Sequence, residues 1–175
     1  MHPLRLAARS ELAGIRAEGR YRTFTPLRKH ADRFPAYTLE QDGRLRDITV
    51  WSSNDYLGMG AHPVVVAAAI EAARSMGAGA GGTRNIAGTS YLHDALEREL
   101  AALHSKEVAL LFTSGYVANQ AALMTMLRAL PDWHVFSDQK NHASMIAGIK
   151  GGPATVHVFA HNDLADLERI RSSMI

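Results

Sequence analysis

Apolar residues recur along this chain with two different periods, and the change from one to the other organises it. Leu4, Ala8, Leu12 and Ile15 fall on one face of a helix that Gly19 can end, so the start predicts an amphipathic arm of about four turns, able to dock on a larger body. From Tyr37 to Trp51 the pattern turns extended, and Gln41-Asp42-Gly43-Arg44 reads as the turn of a hairpin.

After Trp51 the chain alternates. His62-Pro63 opens a helix with proline at its first position, and the alanine-rich run to Met76 ends at Gly77. A helix is predicted from Ser90 to His104, a short apolar strand from Glu107 to Phe112, and a helix from Tyr116 to Leu130 that Pro131 stops. Trp133 to Ser137 and Thr155 to Phe159 read as strands, Asn141 to Ile149 and Asn162 to Ser172 as helices. Strand followed by helix, three times over, is the pattern of crossovers building a parallel sheet with helices on both faces, so the fold class is α/β. The division expected is an arm and hairpin over 1–50 and the first part of a larger domain over 51–175. With about three parallel strands where such sheets usually have ~5 or more, the sheet is expected to be incomplete, with an open edge, an exposed apolar face and poor solubility.

Composition narrows the functional classes. Of 175 residues, 47% are apolar and 21% charged, an ordinary globular balance. The 19 basic and 17 acidic residues, net +2, are interspersed, which argues against a nucleic-acid footprint. The absence of cysteine removes disulfides, thiol nucleophiles and thiolate metal sites. Arg5, Arg9 and Arg16 raise a targeting peptide, but Glu11 and Glu18 weigh against it. No segment approaches the ~20 apolar residues of a membrane span, so a cytoplasmic protein without membrane partners is expected.

Three loops carry candidate chemistry. Phe112-Thr113-Ser114-Gly115-Tyr116-Val117-Ala118-Asn119 breaks a strand and restarts a helix, where free N–H groups and a glycine suit an anion; an ordinary strand-to-helix turn reads the same way. Gly77-Ala78-Gly79-Ala80-Gly81-Gly82-Thr83-Arg84-Asn85-Ile86-Ala87-Gly88-Thr89 requires a loop with a closely approached backbone, or else a flexible linker, although the polar Thr83, Arg84 and Asn85 exceed what a linker needs. Ser137-Asp138-Gln139-Lys140-Asn141-His142-Ala143-Ser144 follows a strand at the edge where ligands of α/β sheets gather, yet a lone histidine there is often structural. Asp138 with His142 has no second pair at metal-ligand spacing, so no metal is expected.

These loops, together with Gly19-Arg20-Tyr21-Arg22-Thr23-Phe24, Asn54-Asp55-Tyr56-Leu57-Gly58-Met59 and His161-Asn162-Asp163, stand in an order that resembles the α-oxoamine synthases, on their 5-aminolevulinate synthase branch. The resemblance implies a fold-type I pyridoxal-phosphate (PLP) transferase, aspartate aminotransferase-like in its large domain and homodimeric. It implies condensation of glycine with succinyl-CoA to 5-aminolevulinate, CoA and CO2 for tetrapyrrole and heme synthesis. Ser114, Gly115 and Tyr116 would then hold the cofactor phosphate, and His142 would stack on the pyridine ring. Asn54 would meet the glycine carboxylate, and Arg22, Thr83, Asn85 and Ser137 the succinyl-CoA. A sister branch making 2-amino-3-oxobutyrate or 8-amino-7-oxononanoate is the alternative, which the Arg22 block and Thr83 with Asn85 disfavour. One departure concerns the CoA side: Val156 stands where the branch often has a lysine, with Lys150 as the nearby substitute. None of Lys29, Lys106, Lys140 and Lys150 stands in the family's Schiff-base context, so the chain is expected to be inactive alone, as a piece of an enzyme or as a non-catalytic remnant.

Overall fold

The computed structural model describes residues 2–174. They fall into two compact units, the first ending at Gly79 and the second beginning at Ala80.

The first unit opens with α1 (Pro3–Ala17), whose start is fixed by Pro3 in the first turn and by His2, which accepts the Leu4 N–H at 3.3 Å. Gly19 takes a left-handed φ of 68° and ends it. No residue of α1 is buried, so its apolar stripe is exposed within this unit. An antiparallel sheet of β1 (Leu27–Lys29), β2 (Ala36–Gln41) and β3 (Arg44–Thr49) follows. The hairpin turn is the one expected: Asp42 and Gly43 have φ of 52° and 71°, the two left-handed residues a tight two-residue turn needs. The strand β1 was not foreseen. Three residues, two of them basic, carry no alternation, and they become a strand by pairing Arg28 with Thr38 across the sheet. The unit closes with α2 (Pro63–Met76), capped by His62 at one end and by Gly77, φ 79°, at the other.

The second unit holds α3 (Tyr91–Leu103), α4 (Gly115–Ala129), β4 (His134–Asp138), α5 (Ala143–Lys150), β5 (Thr155–Phe159) and α6 (Leu164–Ser172). The two strands are parallel, with Phe136 opposite His157 and Ser137 opposite Val158. The class is α/β, as the alternation predicts, but the parallel sheet has two strands among the described residues rather than about three. The strand expected over Glu107–Phe112 does not form. A strand exists only through a partner's backbone, and here the backbone groups of Leu111 go to side chains instead: its N–H donates to Glu97 Oε1 at 2.7 Å and its carbonyl accepts from Arg84 Nη1 at 3.3 Å. The apolar run that predicted the strand is largely exposed, with Val108 at 82% and Leu110 at 66%.

What positions the site is the packing of α4 on α5. Gly148 makes it possible: a Cβ there would lie 2.9 Å from Leu123 Cβ and 3.0 Å from the carbonyls of Asn119 and Gln120. Leu127 and Ile149 are buried beside it, and Ser137 and Ser144 are the buried polar residues.

Candidate functional site

The start of α4 leaves backbone donors open to a ligand. Ser114 precedes it in extended conformation, and its Oγ accepts the Val117 N–H at 3.2 Å. Helix geometry leaves the N–H groups of Gly115 and Tyr116 without an intrahelical acceptor, at the positive end of the dipole of a fifteen-residue helix. Around Gly115 there is open space, with nothing within 4 Å of where a Cβ would stand. A phosphate can therefore approach the backbone directly.

His142 faces this helix start. It is the residue before α5, and its ring centroid lies 6.3 Å from that of Tyr116, edge to face at 71°. Its Nδ1 is 3.2 Å from the Ser144 N–H and 2.6 Å from Ser144 Oγ. Ser137, the buried fourth residue of β4, accepts from the Asn141 side chain at 3.0 Å and so ties the strand to the loop that carries His142. The structure thus brings Ser114, Gly115, Tyr116, Ser137 and His142 onto two helix starts and the strand between them.

The glycine-rich loop stands against the same turn. A cavity of about 740 Å³ is lined by Gly82, Thr83, Arg84, Phe112, Thr113 and Val117 among others. Thr83 donates to Asn85 Oδ1 at 3.0 Å, which ties the two side chains together. Within the loop Gly82 and Gly88 are pressed together, and a Cβ on Gly88 would drive into the Gly82 carbonyl. This is a packed turn rather than a linker.

Two predicted residues belong to the first unit. Arg22 is exposed in the non-regular stretch before β1, and Asn54 is exposed at a bend. The turn after Asn54 is held by its neighbour: Asp55 Oδ2 accepts the Gly60 N–H at 3.1 Å and lies 3.6 Å from Lys29 Nζ.

Sequence reasoning missed the roles of four residues that shape the site. Glu97 receives both arms of Arg84, at 2.5 and 3.0 Å, and the Leu111 N–H. Its carboxyl is thereby lowered from 4.5 to about 2, first by Arg84 and then by the Leu111 N–H. Asp138, weighed from sequence only as a metal ligand, accepts the Asn162 N–H at 2.9 Å, the Lys140 N–H at 2.7 Å and His161 Nδ1 at 2.9 Å. Those bonds, in that order of weight for the first two, hold its carboxyl at about 2 and pin the loop after β5 to the loop after β4. Ser144 and Asn119 complete the set, joined by a 3.0 Å hydrogen bond. Arg84 and Glu97 lie thirteen residues apart and Asp138 and Asn162 twenty-four, and no local spacing signals either pair. Among the described residues no group of three or more His, Cys, Asp or Glu could hold a metal ion, and no helix is long and apolar enough to cross a membrane.

A second hollow, about 420 Å³, is lined by Ser137, Ile146, Ile149, Lys150, Val156 and Val158, among others. It puts Lys150 and Val156 on the same wall system as Ser137.

The aminotransferase class I and II family matches residues 46–174. The chain is 51% identical over 170 residues to 5-aminolevulinate synthase 1 of Cereibacter sphaeroides, covering 97% of this chain and 42% of that protein. It is 54% identical over 160 residues to the 5-aminolevulinate synthase of Rhizobium meliloti, covering 91% of this chain and 40% of the relative. Among solved structures, a lysine-to-alanine variant of serine palmitoyltransferase from S. paucimobilis with a bound PLP–myriocin aldimine matches with a TM-score of 0.71 at 27% identity, over 95% of this chain and 42% of that one. The 8-amino-7-oxononanoate synthase of Francisella tularensis matches with a TM-score of 0.55, also at 27% identity, over 68% and 32%. The chain spans about two fifths of the length of the two 5-aminolevulinate synthases.

Proposed function

This chain belongs to the aminotransferase class I and II family, and we propose that it supplies the amino-terminal part of the cofactor domain of a 5-aminolevulinate synthase, a homodimer that condenses glycine with succinyl-CoA. Its fold is that of the PLP-dependent transferases, as the sequence resemblance implies. The observation that carries the reading is the open helix start at Ser114, Gly115 and Tyr116 with His142 set edge-on to Tyr116, in a chain about half identical to 5-aminolevulinate synthases.

The donor set fits a PLP phosphate. The N–H groups of Gly115 and Tyr116 and the Tyr116 hydroxyl are donors, and the space at Gly115 admits an anion against the backbone. The His142 ring, flat and exposed, is the surface for the pyridine face. Bound there, the cofactor supplies an electron sink for carbanion chemistry at the glycine α-carbon. The chain's own residues bind and orient. Thr83, Asn85 and Ser137 are assigned to the acyl-CoA side together with Arg22, whose guanidinium fork suits the free carboxylate of a succinyl group. Asn54 is assigned to the glycine carboxylate. Lys150, on the hollow shared with Val156 and Ser137, is assigned to the CoA phosphates in place of a basic residue at 156. The lysine and the acid that such chemistry requires are assigned to the part of the longer relatives that this chain does not span.

A chimera tests the whole reading. The 170 residues of this chain that align with the C. sphaeroides synthase would replace the matching stretch of it, and 5-aminolevulinate would be measured with glycine and either succinyl-CoA or acetyl-CoA. Formation of 5-aminolevulinate with succinyl-CoA preferred is expected. A folded, PLP-loaded chimera that uses acetyl-CoA better would overturn the substrate assignment.

A further inference from the structure

Ser144 has no exposed surface at all, and its hydroxyl stands between two polar side chains from different helices. Oγ accepts from Asn119 Nδ2 on α4 at 3.0 Å and lies 2.6 Å from Nδ1 of His142, ahead of α5. The proton positions along this line are fixed by what each atom can do. The Ser144 N–H can only donate, and at 3.2 Å it points at the same Nδ1, so that nitrogen is an acceptor. An oxygen 2.6 Å from an accepting nitrogen must present its hydrogen, so the hydroxyl donates to Nδ1 and its lone pairs face Asn119. The reverse amide orientation would set the Asn119 oxygen to compete for that single hydroxyl proton. The neutral His142 ring therefore carries its hydrogen on Nε2.

We propose that Ser144, held by Asn119, is a positioning residue that sets the tautomer and the plane of His142. The proposal rests on the reading of His142 as the ring-stacking residue, and it adds how that ring is fixed. The backbone N–H alone holds the ring loosely, at 3.2 Å; the buried hydroxyl adds a shorter second bond to the same nitrogen, much as second partners orient histidines elsewhere. The line also joins the two halves of the site. Asn119 lies one turn along α4 from the Gly115 and Tyr116 N–H groups, and α4 and α5 meet closely at Gly148. One hydrogen-bonded line thus keeps the phosphate-binding helix and the ring-bearing loop in register.

The test uses the whole chain labelled with ¹⁵N-histidine, without cofactor. At alkaline pH the two-bond ¹⁵N–¹H pattern of the His142 ring is expected to show the Nε2–H form alone. Ser144→Ala keeps the backbone N–H on Nδ1 but loses the hydroxyl, so a measurable minor fraction of the Nδ1–H form is expected to appear, and Ser144→Thr, which keeps the hydroxyl, is expected to restore the single form. Asn119→Ala leaves the Ser144 hydroxyl in place but unheld, and is expected to give a smaller Nδ1–H fraction than Ser144→Ala. An Nδ1–H ring in the unsubstituted chain, a measurement that needs no variant to fold, would overturn the proposal; so would an unchanged pattern in a folded Ser144→Ala. Because the readout needs no cofactor, a chain that binds no PLP but shows the Nε2–H ring would refute the functional reading and leave this one standing.

Discussion

Arg84 and Glu97 face each other as a two-pronged ion pair, Nη1 to Oε1 at 2.5 Å and Nη2 to Oε2 at 3.0 Å, and between them they also hold the N–H and the carbonyl of Leu111. The stretch before the turn at Ser114 and Gly115 is therefore anchored by side chains and not by a neighbouring strand. The Arg84 end of the pair lines the cavity that Thr83 shares with Thr113 and Val117.

Acid should release this anchor. Glu97 is lowered from 4.5 to about 2 in the folded chain, so its contribution to stability is fully present above about 4.5 and is lost as the pH falls from there through about 2. Asp138, also at about 2, adds a loss in the same direction as the pH falls below its ordinary 3.8. Urea midpoints measured across this range should decline with acid, and Glu97→Gln should be less stable at neutral pH while showing a shallower decline. An identical acid slope in Glu97→Gln would show that the pair contributes nothing to it.

Gly148 is expected to be intolerant of side chains. The 2.9 to 3.0 Å separations to Leu123 and to the Asn119 and Gln120 carbonyls leave no room for a Cβ, and overpacking of this kind costs about 1–3 kcal/mol. Gly148→Val should lower the denaturation midpoint and also perturb the His142 ring signal, because α4 carries Asn119. Gly115→Ala, in open space, serves as the control that leaves stability nearly unchanged.

Much of this organisation was legible because it is local. The bounds of α2 follow from His62-Pro63 and Gly77, and the hairpin from Asp42-Gly43, since these residues act through their own backbone angles. The expected strand over Glu107–Phe112 failed for the opposite reason: its apolar run is compatible with a strand, but pairing is a property of what lies alongside. The site divides in the same way. Ser114-Gly115-Tyr116 and His142 stand out in the sequence as loop chemistry. The roles of Glu97, Asp138, Asn119 and Ser144 do not, because each depends on a partner that only the folded chain brings near.

Lys150 should matter to CoA and Val156 should be improvable. In the chimera, Lys150→Ala is expected to raise the KM for succinyl-CoA by about two- to fivefold, the scale of one exposed ion pair, with kcat little changed. Val156→Lys is expected to lower that KM. Steady-state kinetics at two salt concentrations checks both, since a phosphate contact weakens with salt.

The central claim is that the start of α4 binds the phosphate of PLP while His142 covers the ring. It is tested most directly by fluorescence titration of the chain with PLP and with pyridoxal, which lacks the phosphate. Weak binding of PLP, competed by inorganic phosphate, reduced in His142→Ala and abolished in a folded Gly115→Glu, with no binding of pyridoxal, is the expected result. Equal binding of PLP and pyridoxal, or PLP binding that survives Gly115→Glu, would contradict the account.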